Sequence, residues 1–180
     1  MDDAQSILET SPQARVSATE PDWSRERPRT FWDPGRKLIK TLRDYVRLGA
    51  GKDPFTTLRR GLIVWRHRFW SAATSCDIPL GLNPGGGFMM PHPYCIVIHP
   101  RAVIGPNCLF MHQTTLGTAF GDRKAPVVGG HVDIGAGAKI IGGVTIGDHA
   151  RIGANAVVLR DVPAEATAVG VPARVIGPRR

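Results

Sequence analysis

The fold is decided by residues 98–158, which read IHPRAVIGPNCLFMHQTTLGTAFGDRKAPVVGGHVDIGAGAKIIGGVTIGDHARIGANAVV. Large apolar residues recur in this stretch in steps of six, and a glycine often follows them. Such a step fits neither an amphipathic helix, whose period is about 3.6, nor an alternating strand, whose period is about two. The in-phase positions are Ile98, Ile104, Phe110, Leu116, Val128, Ile134, Ile140, Ile146, Ile152 and Val158.

This spacing is a hexapeptide repeat, which is typical of a parallel β-helix. Each unit supplies one short strand and one turn, and three units complete a triangular coil with the apolar residues inside. The sequence therefore predicts a mainly β fold. The step from Leu116 to Val128 is twice the repeat, so we expect a loop near residues 118–125 that leaves the register intact.

The chain divides into three predicted segments. Residues 1–33 are rich in Ser, Thr, Glu, Pro and Arg, and we predict that they are disordered. Residues 34–75 form a short N-terminal helical appendage, and residues 76–180 form the β-helix with a C-terminal tail. Within the β-helix, residues 76–97 make an irregular first coil, because the stride slips by two residues at Ile98.

Two helices are predicted in the appendage. The first spans about residues 35–48 and ends at Gly49, a residue that favours helix ends. The second begins with Asp53 as N-cap and Pro54 at the first helical position, and it runs to about Ser71. Its apolar stripe predicts a packing face, and we expect the pair of helices to pack on the first coils or on a neighbouring subunit. The stripe consists of Phe55, Leu58, Leu62, Trp65 and Phe69.

The net charge of +8 is concentrated in the appendage. Residues 36–68 hold ten Lys and Arg against two Asp. These cations are either solvated helix faces or an attraction for anionic substrates or membranes. No RNA-binding or zinc-finger motif accompanies them, so we expect no nucleic-acid partner.

We expect no transmembrane segment and no signal peptide, and we interpret Cys76, Cys95 and Cys108 as reduced thiols of a cytoplasmic protein.

Three stretches carry a family resemblance over roughly residues 76–176. They read DIPLGLNPGGGFMMPH, then CIVIHPRAVIGPNCLFMHQTTLGT, then VDIGAGAKIIGGVTIGDHARIGANAVVLRDVPAEATAVGVPARVIG. In these motifs the chain resembles bacterial serine acetyltransferases. The resemblance implies a homotrimer of left-handed β-helices that binds acetyl-CoA in the grooves between subunits. It also implies a histidine that removes the proton from an acceptor hydroxyl.

The resemblance places the catalytic histidine at His92 and its orienting carboxylate at Asp77. A hydroxyl is a poor nucleophile at neutral pH, so a base of near-neutral pKa must take its proton, and imidazole suits that task. A carboxylate on the far ring nitrogen would stabilise the imidazolium. His112, one coil further on, is an alternative base or an acceptor contact. We interpret His99 as structural, and the remaining histidines, His67, His131 and His149, as helix or turn residues.

Acetyl-CoA contacts are also implied by the resemblance. Gly117 and Thr118 match the turn beside the thioester, and Ala136 and Ala154 match small residues along which the pantetheine arm runs. Tight packing at corners would explain the small residues equally well. The family positions at the adenine and phosphate end of the groove are Arg151, Thr167 and Arg174.

Departures from the family pattern affect the acceptor. Pro91 stands where the family has an Asp that contacts the amino acid, and Ala125 stands where it has a second histidine. Arg123 or Lys124 replaces the arginine that holds the substrate carboxylate. The sequence therefore predicts an acetyl-CoA-dependent O-acetyltransferase whose acceptor is L-serine by resemblance, or a sugar hydroxyl in surface-polysaccharide synthesis.

Two hypotheses from other classes stay open. One is a zinc-dependent hydratase on the same fold, in which three histidines from different subunits hold the metal; the candidates are His92, His112 and His131, and metal analysis would detect the zinc. The other is a non-catalytic trimeric scaffold, which would not bind CoA. For the transferase we expect no metal. The sequence ends in VIGPRR and lacks a longer tail, so we expect neither partner-enzyme docking nor feedback control through it.

Overall fold

The computed structural model describes residues 16–51, 53–121 and 123–178. Twelve short strands in these ranges form three sheets that enclose a prism. Face 1 contains β1 (Val97–Ile98), β4 (Thr115–Gly117), β7 (Lys139–Ile141) and β10 (Val157–Val158). Face 2 contains β2 (Val103–Ile104), β5 (Val127–Val128) and β8 (Thr145–Ile146). Face 3 contains β3 (Leu109–Phe110), β6 (Asp133–Ile134), β9 (Arg151–Ile152), β11 (Ala166–Val169) and β12 (Arg174–Pro178).

Successive coils stack in register, which confirms the left-handed parallel β-helix. On face 1, Ile98, Leu116, Ile140 and Val158 are register partners in turn, and all four are buried. The residue before each of them points outwards. The apolar residue of each six-residue unit therefore fills the prism, as the repeat predicts. Only β12 departs from the parallel pattern, because it turns back antiparallel along β11.

Three corners join the faces of the prism. The histidine corner, between faces 3 and 1, consists of residues 91–96, 111–114, 135–138 and 153–156. The loop corner, between faces 1 and 2, consists of residues 99–102, 118–121, 123–126, 142–144 and 159–161. The strap corner, between faces 2 and 3, consists of residues 105–108, 129–132, 147–150 and 163–165.

The two-residue slip predicted before Ile98 lies in the first turn of the histidine corner. Buried Met90 and buried Ile98 are eight positions apart, whereas the later coils cross the same corner in six. The turn is closed by Tyr94 N–H, which donates to His92 O at 2.8 Å, and Cys95 adopts a positive φ of 55°. The longer turn therefore carries the candidate base.

The predicted disorder is wrong for residues 16–33, whereas residues 1–15 lie outside the described residues. Residues 17–26, named the strap, run along the strap corner, and Asn107 holds them. Its Nδ2 donates to Ser17 O and Glu20 O, and its Oδ1 accepts from Asp22 N–H. A composition typical of disorder did not reveal these contacts, because they depend on one asparagine about 90 residues away in the sequence.

The helical appendage begins and ends as its caps require. Helix α1 (Pro34–Leu48) starts after Asp33, whose side chain accepts from Arg36 N–H, and ends at Gly49 with φ 66°. Helix α2 (Pro54–Thr74) starts after Asp53, which accepts from Thr56 N–H at 2.9 Å. It runs three residues beyond the predicted end. Leu38 and Leu42 of α1 are fully buried in the core cluster that also contains the first coil.

The helical pair packs on the first coil, as predicted, but the apolar stripe of α2 takes no part in this contact. Its five side chains are between 46% and 73% exposed. The buried residues of α2 are instead Ile63, Trp70 and Thr74, which lie on another face of the helix. Because Trp70 is buried against the core, α2 turns the face that carries Trp70 inwards. The apolar stripe therefore faces outwards.

Candidate active site

The histidine corner is a ladder of stacked turns that brings four of the predicted site residues together. One backbone hydrogen bond links each turn to the next. Gln113 N–H donates to Tyr94 O at 2.8 Å, Gly137 N–H to His112 O at 2.9 Å, and Asn155 N–H to Ala136 O at 2.7 Å. The stacked site residues, in order along the prism, are His92, His112, Ala136 and Ala154.

His92 and His112 lie one above the other at this corner. Their ring centroids are 6.2 Å apart, and their planes meet at 85°. His92 is exposed and His112 is half-buried. An exposed imidazole beside small residues can reach a ligand in solution, so the position of His92 suits the base predicted there.

Asp77 lies at the first level of face 1, next to the turn that carries His92. Its backbone N–H donates to Ile96 O and its carbonyl accepts from Ile98 N–H, both at 2.9 Å. Its side chain is exposed, and among the described residues it makes no hydrogen bond to His92. The chain therefore brings the two residues to neighbouring levels, but the carboxylate–imidazole contact stays a prediction.

The predicted acceptor cations lie at the other edge of face 1. After Gly117 at the end of β4, the chain leaves the prism as the predicted loop and folds back over the next coil. The side chain of Lys124 covers Gly143 so closely that a Cβ on this glycine would lie 2.5 Å from Lys124 Cβ. A cleft of about 560 Å³ runs here, lined by Ala119, Lys124, Ile141, Gly142, Gly143, Val144, Leu159, Arg160 and Asp161.

Within one chain, the candidate base and the candidate acceptor cations do not meet. Six positions separate His112 at the histidine corner from Thr118 at the loop corner. At about 3.3 Å per residue, the two corners are up to about 20 Å apart. Arg123 and Lys124 are exposed on the loop side. A site that uses both sets of residues must therefore combine corners of different subunits.

The remaining predicted acetyl-CoA contacts separate into two groups. Arg151 and Thr167 are register partners on the outer side of face 3, which lies between the strap corner and the histidine corner. Arg174 begins β12 and lines a small cleft at the C-terminal end of the prism with Arg160 and Asp161. Ala154 is exposed and Ala136 is half-buried, so the upper part of the histidine corner presents little side-chain bulk.

Lys139 is a residue that the sequence analysis missed. It lies on the outer side of face 1 in one column with Asp77, Val97 and Thr115. Its Nζ donates to the carbonyl of Gln113, which places the ammonium at the edge of face 1 beside the histidine corner. The repeat could have revealed this position, because the residue before each buried aliphatic residue points outwards.

The histidines proposed for zinc are not brought together. His131 lies at the strap corner, where its Nδ1 is 2.8 Å from Nδ1 of His149, and both residues have positive φ. His92 and His112 lie at a different corner. Over residues 16–51, 53–121 and 123–178, no group of three or more His, Cys, Asp or Glu side chains could hold a metal ion. Within the described residues the three histidines therefore form no shared metal site, and the zinc site across subunits stays a hypothesis.

The other titratable groups include two buried thiols, an exposed thiol at the histidine corner itself and a half-buried histidine in α2. Burial raises the pKa of the Cys108 thiol to about 12, and burial also raises the pKa of Cys76. Cys95 is exposed, and the structure contains three free thiols. Burial lowers the pKa of His67, which faces Thr41 of α1.

None of the helices in the described ranges is long and apolar enough to cross a bilayer.

Comparison with known proteins adds independent findings. Residues 125–160 match the family model of the bacterial transferase hexapeptide, six repeats. The serine acetyltransferase of Mycobacterium tuberculosis is 42% identical over 169 residues, which cover 78% of this chain and 74% of that protein. That of Synechococcus elongatus is 41% identical over 105 residues, and the alignment spans only 43% of that protein's length.

Solved structures agree with the sequence relatives. A serine acetyltransferase in complex with CoA superposes with a TM-score of 0.66 at 35% identity, covering 81% of this chain and 57% of that chain. The enzyme of Neisseria gonorrhoeae superposes with a TM-score of 0.69 at 33% identity, covering 83% and 57%. The chain thus spans a little over half of the length of these solved proteins.

Proposed function

The chain belongs to the serine acetyltransferase family, and on that premise we propose that it is an O-acetyltransferase that moves the acetyl group of acetyl-CoA to a hydroxyl group. The proposal rests on the residues that lie at the two edges of face 1. One edge has an exposed His92 above small-residue turns, and the other has a cationic loop. The relative solved with CoA supports the choice of co-substrate.

The proposed assembly is a homotrimer with three composite sites. A closed ring of like subunits would set the histidine corner of one protomer against the loop corner of the next. Arg123 and Lys124 would then reach the groove that holds His92 of the neighbour. The prism also exposes apolar side chains on two faces, which suits burial between subunits. They are Val97, Val103 and Val127, which are 40%, 57% and 43% exposed.

In the proposed reaction, the unprotonated ring nitrogen of His92 takes the proton of the acceptor hydroxyl while its oxygen attacks the thioester carbonyl carbon. The tetrahedral oxyanion needs a hydrogen-bond donor, and a backbone N–H of a glycine-rich turn would supply it. When the intermediate collapses, the C–S bond breaks and the CoA sulfur takes the proton back from the imidazolium. Asp77 would stabilise that imidazolium after a rotation of its exposed side chain.

The co-substrate would lie along the stacked turns of the histidine corner. Ala136 and Ala154 leave room for the pantetheine arm, and Gly117 with Thr118 would flank the thioester from the loop corner. Arg151, Thr167 and Arg174 would meet the phosphate and adenine end, where guanidinium groups suit a polyanion. Lys139 would add a cation halfway along the groove.

L-serine is the first candidate acceptor, because the relatives are serine acetyltransferases. A sugar hydroxyl is the second, and a specific observation favours it. The exposed part of the turn at residues 91–95 offers Pro91 and Tyr94, so this turn itself has no carboxylate to pair with an ammonium group. Tyr94 is 49% exposed, and an aromatic ring is a suitable surface for a sugar.

An acceptor screen tests the proposal. Release of the CoA thiol from acetyl-CoA would be followed with L-serine, free sugars and nucleotide-sugars, using the wild-type protein and His92→Ala. We expect one acceptor class to accelerate release, and we expect His92→Ala to lower that rate by about 10²- to 10⁴-fold, because a positioned base contributes that much.

The matched control is His99→Ala at the loop corner, where the imidazole accepts from Arg101 N–H and has no proposed role in proton transfer. It should keep most of the rate. Full activity in His92→Ala would refute the assigned base. Failure of the wild-type protein to bind CoA in a calorimetric titration would refute the transferase and would favour the non-catalytic scaffold.

A further inference from the structure

Helix α2 carries the largest run of exposed apolar side chains that the structure describes outside the prism. Its exposed stripe consists of Phe55 (65% exposed), Leu58 (73%), Leu62 (57%), Trp65 (64%) and Phe69 (46%). From the first to the last, the stripe is about 21 Å long at 1.5 Å per residue. The rings of Trp65 and Phe69 stack with centroids 6.1 Å apart, so that end of the stripe is a continuous aromatic surface.

The stripe is not needed to hold α2 in place. The helix is already anchored through Ile63 and Trp70, which are both 8% exposed, and through Thr74, which is fully buried. Soluble proteins rarely present contiguous apolar patches of this kind without a partner. The proposed contacts of the transferase use the prism corners and not this helix, so the exposed stripe requires a separate explanation.

Charge on both sides of the stripe indicates the chemistry of the partner. Helix α2 contains four arginines and no Asp or Glu. At 100° per residue, Arg59 and Arg66 lie along one flank of the stripe and Arg68 lies along the other. The guanidinium of Arg59 lies 5.3 Å from the centre of the Phe55 ring, so charge and apolar surface adjoin directly. Arg59 and Arg68 are exposed.

The positive charge extends into the groove between the two helices. A cavity of about 500 Å³ there is lined by Lys40 and Arg47 of α1 together with Arg59 and Arg66 of α2, and Asp44 is the one carboxylate in its lining. Asp44 pairs with Lys40 at 2.8 Å and with Arg66 at 3.3 Å. The surface around the stripe is therefore strongly cationic.

The exposed stripe and the cations around it restrict which partner can cover this face of α2. A second copy of α2 would cover the apolar side chains, but it would bring two rows of arginines together, which costs free energy. An anionic lipid surface would meet both requirements at once. Helices that lie in the plane of a membrane have aromatic and leucine side chains on one face and Lys or Arg beside it.

We propose that the exposed stripe of α2 docks on an anionic lipid bilayer, with the helix axis parallel to the membrane. Phe55, Leu58, Leu62, Trp65 and Phe69 enter the boundary between headgroups and acyl chains. Arg59 and Arg68 lie at the level of the lipid phosphates on opposite sides of the helix. The association is peripheral and reversible, because it uses one helix face and leaves the prism in the water phase.

Vesicle sedimentation tests this proposal. The protein would be mixed with vesicles of phosphatidylcholine alone and with vesicles that contain about 30% phosphatidylglycerol. We expect the protein to sediment with the anionic vesicles, and we expect binding to the neutral vesicles to be more than roughly tenfold weaker. Raised salt should weaken the binding, because the arginine contribution is screened.

Two variants separate the apolar and the cationic contributions. Leu62→Ser with Trp65→Ser should lower the partition coefficient by roughly 100-fold, because two large side chains no longer enter the boundary. Arg59→Gln with Arg68→Gln should lower it by roughly fivefold for each arginine. All four side chains are exposed, so circular dichroism should show an unchanged fold.

The matched controls make the same chemical changes elsewhere. Val175→Ser removes an apolar side chain that is 48% exposed on β12, and Arg101→Gln removes an exposed arginine at the loop corner. Both should bind anionic vesicles like the wild-type protein. Absence of wild-type protein from the anionic vesicle pellet would overturn the proposal, as would equal binding by the Leu62, Trp65 variant. If that variant instead lowered the mass of the assembly in sedimentation velocity, the stripe would be an interface between copies.

Discussion

The imidazole rings of His92 and His112 lie edge to face with centroids 6.2 Å apart, although 20 positions separate the two residues in the sequence. Their proximity follows from the prism, in which a turn of one coil stacks on the turn of the next. The turn that holds His92 is two residues longer than its successors, so His92 extends into solvent while His112 is half-buried beneath it.

This stacking predicts different roles for the two rings. Replacing His112 by Asn should lower the acetyl-transfer rate by about tenfold, because the ring supports His92 without reaching the acceptor proton. Replacing His92 by Asn should cost about 10²- to 10⁴-fold. Steady-state kinetics over a range of pH would check this, and the His112 variant should keep an ionisation in its pH–rate profile. A larger loss in the His112 variant than in the His92 variant would reverse the two roles.

Asn107 should contribute strongly to the free energy of unfolding. Its buried side chain makes three hydrogen bonds to the strap, and Asn107→Ala would leave Ser17 O, Glu20 O and Asp22 N–H without these partners. We expect a loss of about 2–4 kcal/mol, measured by urea denaturation. Limited proteolysis should also cut the strap faster in the variant.

The control for Asn107 is Asn155→Ala. Asn155 has the same positive φ, 56° against 60°, at a corner of the prism. Its side chain is exposed and makes no hydrogen bond within the described ranges. The control therefore carries the same backbone strain but loses no strap contact, and its free energy of unfolding should change by less than about 1 kcal/mol. Equal losses in both variants would show that strain, and not the strap, dominates.

The buried pair of Glu26 and Arg43 should be costly to break. Arg43 donates to both carboxylate oxygens of Glu26 at 2.7 and 3.0 Å, and Phe88 N–H also donates to this carboxylate. Glu26→Ala leaves the guanidinium, whose side chain is 13% exposed, without its carboxylate. Urea denaturation should show a loss of about 3–5 kcal/mol.

An exposed ion pair on the same helix provides the comparison. Lys40 and Asp44 are 2.8 Å apart, and the Lys40 side chain is 49% exposed. Lys40→Ala should cost between about 0 and 1 kcal/mol, because water screens the pair. If Glu26→Ala were as mild as Lys40→Ala, the buried pair would contribute nothing to the attachment of the strap and of α1 to the first coil.

His67 should make the fold less stable in mild acid. Thr41 Oγ1 donates to Leu38 O at 2.6 Å, so His67 Nδ1–H donates to Thr41 Oγ1 at 3.0 Å. Burial holds the pKa of His67 below its ordinary value of 6.5. Below that value the unfolded chain binds a proton that the folded chain still excludes, so the free energy of unfolding falls as the pH drops through about 6.5.

Thermal unfolding at a series of pH values would test this effect. His67→Gln removes the titrating group but keeps a side chain that can donate to Thr41. Between about pH 7 and pH 5, the melting temperature of this variant should fall less than that of the wild-type protein. A steeper fall in the variant would mean that burial favours the charged form of His67, which is the opposite sign.

The repeat made the prism predictable from the sequence, because every six-residue unit had to bury one apolar residue and turn once. The same register placed the slip before Ile98 and the loop after Thr118 correctly. The caps at Asp53 and Gly49 likewise determined helix ends, since they act on neighbouring backbone groups. The sequence did not predict the strap, because its order depends on Asn107 and Arg43, which are distant in the chain.

What the sequence determined by itself was periodic or local: the six-residue register of the prism and the helix starts at their caps, whereas the candidates His92 and Asp77 came from the family resemblance. What only the tertiary structure decided was which of these residues share a corner. It stacked His92 on His112, moved His131 to a different corner, and separated Lys124 from the candidate base His92 by the width of a face. It also turned the stripe of α2 outwards. The physical reason is that a repeat fixes which side chains point inwards, whereas contacts between coils, strap and helices depend on packing over the whole chain.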